Sequence, residues 1–475
     1  MTTKLPLVVV LGATACGKSK LAIEIARRFN GEIISADSMQ VYQGLDIVTN
    51  KVDAEEQELA KHHMISFLDP RHRFSVIDFR DKSLCIIDDL MKNNLLPIVV
   101  GGTNYYIESL VWNSFLLGSR DSPSRLEPIK NSLHGEDADG SKVSTLIDLE
   151  ARSLKDAPKE HLHNEEDLED VDKFFGKVIY NDAFENVESE KLWRILERVD
   201  PSSAHSYHLK DKRRIIRCLQ TIQREQRNYS DILREVNKSE QSDRISLGGP
   251  LRYQPTCVFW LNCETSLLEE ILDKRVDDML NKGLLAELEK FHATYNRERI
   301  TGTNEHDYTK GIFQTIGFKE FHNYLTLNDD LAGTDEANEI LRASIEGLKL
   351  STKRFAKRQL RWIRRRFLQS GTRDLPPVFK LTTTTDENDW DQQVRRPAFE
   401  IIESIIERRP LSEELARLRQ EPEIQPVKNY PGKFYCEPCK RTFIGSHYIE
   451  AHLKSRIHDR CVSKKKKQEV ASEGT

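Results

Sequence analysis

The chain has 475 residues, enough for about three domains and a large buried core, and its 31% of charged residues leave a formal net charge of only −4. A balance so near neutrality excludes a global basic field, so contact with nucleic acid would have to come from local patches. Eight cysteines scattered over this length do not form a disulfide framework, six are expected as reduced thiols, and no apolar run approaches the roughly 20 residues of a membrane helix.

Near the N-terminus, Leu7 to Leu11 is a continuous apolar run that predicts a buried strand. It leads into Gly12-Ala13-Thr14-Ala15-Cys16-Gly17-Lys18-Ser19, with the spacing G-x-x-x-x-G-K-[ST]. Glycines let this backbone curl so that successive N–H groups point at one phosphate cluster. Lys18 adds a point charge, and Ser19 offers a hydroxyl suited to Mg²⁺. Ala22, Ile25, Ala26 and Phe29 then fall on one helical face, and the positive end of that helix points at the same anion. The motif does not distinguish a nucleoside triphosphate from a bare diphosphate.

Glu32 to Asp37 predicts a second buried strand ending in a carboxylate, and Pro97 to Val100 a third, ending in Gly101-Gly102-Thr103. Ligands of open α/β sheets bind beyond the carboxyl ends of the strands, so Asp37 and Thr103 are expected at the crevice that holds the cradle. Asp37 is a candidate base, with an N-cap or a second-sphere Mg²⁺ partner as alternatives. Thr103 could bond a substrate or close its own turn.

Residues 121–252 leave the strand–helix alternation and predict a helical insertion whose stretch from about Asp148 to Lys191 is acidic. Farther along, Lys210, Lys212, Arg213, Arg214 and Arg217 cluster, with Arg214 and Arg217 on one helical face. Such a face grips phosphates or is simply solvated. The core is expected to run through 1–120 and to resume over 253–368, beginning with the strand Thr256 to Leu261. Near its end lies a basic helix that carries Lys353, Arg354, Lys357, Arg358, Arg361 and Arg364 to Arg366, with Phe355 and Trp362 packed inward. Residues 369–431 read as linker plus a short amphipathic helix at Phe399, Ile402, Ile405 and Ile406. In the last segment, 432–475, Cys436, Cys439, His452 and His458 follow C-x2-C-x12-H-x5-H, with Tyr435, Phe443 and Ile449 as the small apolar core. Four tetrahedral ligands to Zn²⁺ would supply the stability that so small a unit lacks. Its basic residues Lys440, Arg441, Lys454, Arg456, Arg460 and Lys464 to Lys467 suit phosphate contact; a protein-binding finger and a nuclear-import signal are the alternatives.

The cradle, ISADSMQVYQGLDIVTNK from Ile34, HHMISFLDP from His62, FSVIDF from Phe74 and VGGTNYY from Val100 together resemble the tRNA dimethylallyltransferases. The resemblance resumes at Val199, Lys274, Gln314 and Thr352, and covers most of residues 6–367. It implies an α/β fold with a P-loop parallel-sheet core, a helical insertion for tRNA recognition and a C-terminal zinc finger. It further implies transfer of a dimethylallyl group from dimethylallyl diphosphate to N6 of the adenosine immediately 3′ of the anticodon. Gly12 to Ser19 would hold the diphosphate with Mg²⁺ at Ser19, Arg275 adding charge. Lys18, Asp37 and Thr103 would be catalytic. Asp37, Ser38, Met39, Gln40, Thr103, Arg125, Arg213, Arg214, Arg217, Gln314, Gly317 and Lys319 would contact the tRNA anticodon stem-loop. Cys218 stands where the family pattern has alanine. The resemblance also suggests a cytoplasmic monomer away from membranes, with mitochondrial and nuclear pools as alternatives. A P-loop kinase and an isopentenyltransferase acting on free AMP share the cradle. The first would need a second acidic metal site, and the second has no use for an RNA-docking surface.

Overall fold

The computed structural model describes residues 5–113, 187–236, 250–297, 308, 310–327, 333–370, 374–384, 386–424, 432–439, 441–456 and 458–463. The chain divides into two units, Met1–Leu133 with Gly248–Ile424, and His134–Leu247 with Gln425–Thr475. The first is built on the strands β1 (Leu7–Gly12), β2 (Gly31–Ser35), β3 (His62–His63), β4 (Leu96–Val100), β5 (Thr256–Asn262), β6 (Gln369–Ser370), β7 (Val378–Thr382) and β8 (Glu423–Ile424). Its helices include α1 (Lys18–Phe29), α2 (Ala54–Leu59), α3 (Val76–Lys92), α4 (Asn104–Val111), α5 (Thr265–Asn281), α6 (Leu284–Phe291), α7 (Asp335–Ile363) and α8 (Arg396–Glu407).

Six strands form one parallel sheet in the order β3-β2-β4-β1-β5-β7. Its central strands are apolar along their whole length because helices cover both faces. Alternation along each strand sorts the residues. Val8, Val10, Ile33, Ile98 and Phe259 face α1 and α8, whereas Leu7, Val9, Ile34, Val99 and Val258 face α3 and α4. The helix α1 stops at Asn30, which adopts a left-handed φ of 50°, and α3 starts on a Ser75/Asp78 capping box. A third apolar cluster, including Val41, Tyr42, Leu45, Phe291, Phe318 and Leu348, fastens the loop after β2 to α6 and α7.

Besides the expected short helix, the described residues of 369–424 form a strand where a linker was expected. Val378, Phe379 and Leu381 pair β7 onto β5, and α8 packs on α1 through Phe29 and Phe399, whose rings are 5.6 Å apart. The apolar run is short and sits between Pro376-Pro377 and a threonine run, so its sequence looks like punctuation. A parallel partner five strands deep in the chain supplies what local pattern lacks. Thr383, expected in that linker, donates its N–H to Asn262 O at 2.9 Å.

Three ion pairs align α5 with α7: Glu269 with Lys357 (2.8 Å), Asp273 with Lys353 (2.6 Å) and Asp277 with Lys349 (2.8 Å). Each is partly exposed and worth roughly 0.2–1 kcal/mol, so together they fix register more than stability. A different bond anchors the end of α7. Glu108 is fully buried, and accepts from Trp362 Nε1 and from Arg366, through Nε at 3.0 Å and Nη2 at 2.9 Å. The ring of Trp362 was expected inside the protein, yet it is 38% exposed and reaches the core through this hydrogen bond.

In the second unit, helices Ser189–Val199, Pro201–Ala204, Lys212–Glu225 and Tyr229–Val236 enclose Leu192, Trp193, Leu196, Ile215, Cys218 and Leu219. Buried Asp200 ties them together by accepting from the N–H groups of Ser203 (3.1 Å) and Ser230 (2.7 Å). The acidic stretch lies outside the described residues except at its last few positions. The same unit contains the finger: strands Lys433–Cys436 and Arg441–Ile444, then helix Ser446–Leu453. The ligand atoms of Cys436, Cys439, His452 and His458 all lie within 4.8 Å of one another, which fits a tetrahedral Zn²⁺. Phe443 stacks on His452 at 4.3 Å, but Tyr435, expected in the small core, is 55% exposed. Ile444, on the same hairpin face as Tyr435 and opposite Phe443, is buried instead, in the apolar cluster of the insertion helices. Lys433 pairs with Glu197 at 2.8 Å, so the finger is seated on the insertion and is not a separate bead.

Two outcomes follow. Arg366→Ala strands a buried carboxylate and should lower the stability of the first unit by about 3 kcal/mol, read by urea unfolding; a loss below about 0.5 kcal/mol would show that Glu108 does not depend on it. Zinc removal should lower the melting temperature of the helices around Trp193 as well as unfold the finger, followed by Trp fluorescence. An unchanged transition there would mean that the docked Ile444 contributes nothing.

Candidate active site

The loop between β1 and α1 curls tightly because glycine stands where side chains have no room. A Cβ on Gly12 would fall 2.5 Å from Cys16 Sγ and 2.8 Å from Leu261 O. Gly17 adopts φ 82° and N-caps α1 without a side chain, leaving the first N–H groups of the helix open to the crevice. Lys18 folds back over the loop and donates to Ala13 O at 2.6 Å, which also accepts from Cys16 Sγ at 2.9 Å. Ser19 is exposed, and its hydroxyl has no hydrogen-bond partner among the described residues. That free oxygen at a helix start fits Mg²⁺, which takes few protein ligands and completes its shell with phosphate oxygens and water.

Opposite the loop, Arg275 reaches in from α5 and donates from Nη1 to Thr14 Oγ1 at 3.1 Å. Burial pulls the Arg275 guanidinium down to about 10, and burial likewise lowers Lys18. Among the described residues, neither has a carboxylate within ion-pair distance. Asp37 lies two residues beyond β2, and its Oδ1 accepts from the Met39 N–H at 2.9 Å. Burial raises its carboxyl; the backbone N–H groups of Met39 and Gln40, then Lys18 and Arg275, pull the other way. Two cations thus face one carboxylate across a water-poor crevice, and the excess positive charge favours an anionic ligand.

Thr103 stands at the start of α4 and joins the two sides. Its Oγ1 accepts from the Ser38 N–H at 3.0 Å and lies 3.2 Å from Ser38 Oγ, while its own N–H donates to Ala36 O at 3.0 Å. Gly101 and Gly102 allow this approach: a Cβ on the first would meet Ala36 O at 2.2 Å, and one on the second would lie 3.1 Å from Asp37 Oδ2. Gln40 is engaged inside the chain, accepting from Ser35 Oγ at 2.8 Å and donating to Thr49 O and Asn50 O. Met39 Sδ lies 3.1 Å from the Thr315 hydroxyl, which links the loop after β2 to the segment around Gln314. There Gly317 donates its N–H to Glu320 at 2.7 Å, and Gln314 and Lys319 are exposed.

Sequence reasoning missed Gln359. This buried amide on α7 accepts from the Thr14 N–H at 2.8 Å and donates to Gly102 O at 2.9 Å, latching the phosphate loop to the turn beside Asp37. Only its place in the family-like block TKRFAKRQLRWIRR from Thr352 could have pointed to it, amid louder charges.

The basic helix divides its labour. Its lysines pair with α5, whereas Arg354, Arg358, Arg361 and Arg365 are exposed at spacings of four, three and four, with no carboxylate in ion-pair distance among the described residues. In the second unit, Arg213 and Arg214 are exposed on the helix Lys212–Glu225, Arg217 is half-buried, and Cys218 faces the apolar interior. Arg125 lies outside the described residues.

The family pattern "IPP transferase" matches residues 40–173 and 160–366, and "Zinc-finger of C2H2 type" matches 434–458. A tRNA dimethylallyltransferase of Mus musculus is 39% identical over 98% of this chain and 88% of that protein. Another, from Acetivibrio thermocellus, is 32% identical over 75% of this chain and 88% of that protein. A solved structure of a eukaryotic dimethylallyltransferase acting on tRNA superimposes with a TM-score of 0.66 at 25% identity, covering 99% of both chains. With the parallel sheet, the crevice residues and a full-length relative all in agreement, the chain belongs to the IPP transferase family.

Proposed function

We propose that this chain transfers the dimethylallyl group of dimethylallyl diphosphate to N6 of the adenosine immediately 3′ of the anticodon in tRNA, giving N6-isopentenyladenosine. One observation carries the reading. Lys18 and Arg275, cations with no carboxylate in ion-pair distance among the described residues, share a crevice with Asp37, so a departing anion and an amine losing its proton are served at one place.

The phosphate loop and the start of α1 bind the diphosphate, and Arg275 beside Thr14 closes over it. As the allylic C–O bond breaks, its electron pair passes to the diphosphate, whose growing charge Lys18 and Arg275 offset; the allyl group spreads the complementary positive charge. Bound at Ser19, Mg²⁺ would neutralise further diphosphate charge. The adenine amine is a weak nucleophile because its lone pair is delocalised into the ring. Asp37 accepts its N–H, orients that lone pair and takes the proton as the C–N bond forms. Thr103, through Ser38, holds the loop that carries Asp37 in place. Burial raises the carboxyl of Asp37, which suits a base that must capture a proton near neutrality.

The adenosine has to leave its stack to enter such a crevice, which requires a docking surface for the surrounding RNA. Exposed groups of the right kind stand in each unit: Arg213 and Arg214 in the second, and Gln314 and Lys319 in the first. Such RNA-facing groups argue against free AMP as acceptor, and among the described residues no carboxylate but Asp37 faces Lys18 and Arg275, where phosphoryl transfer would call for a second.

The test is transfer of radiolabelled dimethylallyl groups by the full chain with Mg²⁺, offering an anticodon stem-loop or AMP. Label on the stem-loop alone is expected, and label on AMP would overturn the acceptor assignment. Because Asp37 must be ionised and its carboxyl is raised, the rate on the stem-loop should fall with acid at a pH above the ordinary carboxylate value of about 4. An acid limb below that value would remove Asp37 from the base role.

A further inference from the structure

The phosphate loop is clamped from a part of the chain that the family pattern does not reach, since the match ends at residue 366. Asp386 caps the short helix Glu387–Trp390 by accepting from the N–H groups of Asn388 and Asp389, and the turn delivers Trp390 to the phosphate loop. The indole is 4% exposed, and it fills the side of Gly17 where any other residue would carry its Cβ: an atom there would fall 2.6 Å from Cη2 and 2.7 Å from Cζ3. Gly17 is therefore fixed twice. Its φ of 82° favours glycine, and the flat ring leaves no room for anything else.

Two residues of α1 hold the ring in turn. Its Nε1–H donates to the Glu24 carboxylate at 3.0 and 3.2 Å. One turn earlier on the same face, the Lys20 ammonium stands 4.6 Å over the ring and pairs with Glu387, the residue that begins the Trp390 helix. Arg395 extends the brace, with Nη1 at 4.0 Å from Glu24 and Nη2 paired to Asp391 at 2.6 Å. These contacts lie outside the crevice and touch none of the atoms assigned to chemistry. What they constrain is the one residue whose left-handed turn aims the N–H groups of α1.

We propose that Trp390 is a positioning residue for the diphosphate site, acting through Gly17. The proposal rests on the reading of the loop as a diphosphate cradle. Without the indole, Gly17 regains its full conformational range, and the N–H groups at the start of α1 no longer converge on one point. Affinity for the anion falls while the RNA-facing residues stay where they are.

The experiment compares the full-length wild type, W390A and W390F by calorimetric titration with inorganic diphosphate in Mg²⁺, and separately with an anticodon stem-loop. W390A should weaken diphosphate binding about tenfold or more and leave stem-loop affinity within about twofold. W390F, which lacks both the Cη2–Cζ3 edge that abuts Gly17 and the bond to Glu24, should recover only part of the loss. Should W390A not fold, W390L, which fills the same site without a flat face, takes its place at the same threshold. Diphosphate affinity within twofold of wild type in the folded variant overturns the proposal, as does an equal loss for both ligands, which would mark a general structural role. Failure of the wild type itself to bind diphosphate would instead overturn the cradle reading beneath it.

Discussion

Lys18 and Arg275 occupy a water-poor crevice with no carboxylate among the described residues within ion-pair distance, and the rest of the first unit depends on supporting that arrangement. Burial lowers the affinity of both groups for their protons, so the site stores an electrostatic demand that an anionic ligand meets. The supports are geometric. Gly12, Gly17, Gly101 and Gly102 stand where a Cβ would collide with a neighbouring backbone or side chain, and Gln359 bonds the phosphate loop to the turn beside Asp37. A loop carrying the leaving-group cations and a loop carrying the acceptor base are thereby fixed to each other by one buried amide.

That coupling explains how the sheet serves the chemistry. β1, β2 and β4 are neighbours in space although β4 is distant in sequence, and all three end on the same edge. Parallel strands covered on both faces allow little movement, so the residues just past their ends inherit that rigidity. Long α7 crosses beside them and does two tasks: Gln359 faces inward as the latch, and the arginines at Arg354, Arg358, Arg361 and Arg365 face solvent. Pairing the lysines of α7 with α5 leaves those arginines available.

Much of this was legible in the sequence where a local pattern carries the information. The cradle, Asp37, Thr103, Arg275 and the finger ligands were placed from spacing or from the blocks that resemble the family, and β1, β2, β4 and β5 were found within about two residues of their ends. What was not legible is held by contacts between distant positions. Gln359 is a neutral amide among eight basic residues, Trp390 sits more than three hundred residues from the glycine it touches, and Glu108 is a lone acid in the apolar helix NYYIESLV. That last residue carried a signal, since a carboxylate in an apolar helix needs a partner. β7 was missed because prolines and threonines flank so short a run. The finger looked self-contained because a metal can stabilise so small a unit; nothing in its spacing showed that Ile444 would dock on the insertion helices.

The most direct measurement is single-turnover transfer to the anticodon stem-loop by Asp37→Ala, alongside the affinity of the same variant for that stem-loop. The rate should fall by about a hundredfold or more, with affinity nearly intact, because Asp37 acts on the proton of the reacting amine. A near-normal rate would contradict the assignment of one crevice to both halves of the reaction, and the base would have to be sought elsewhere.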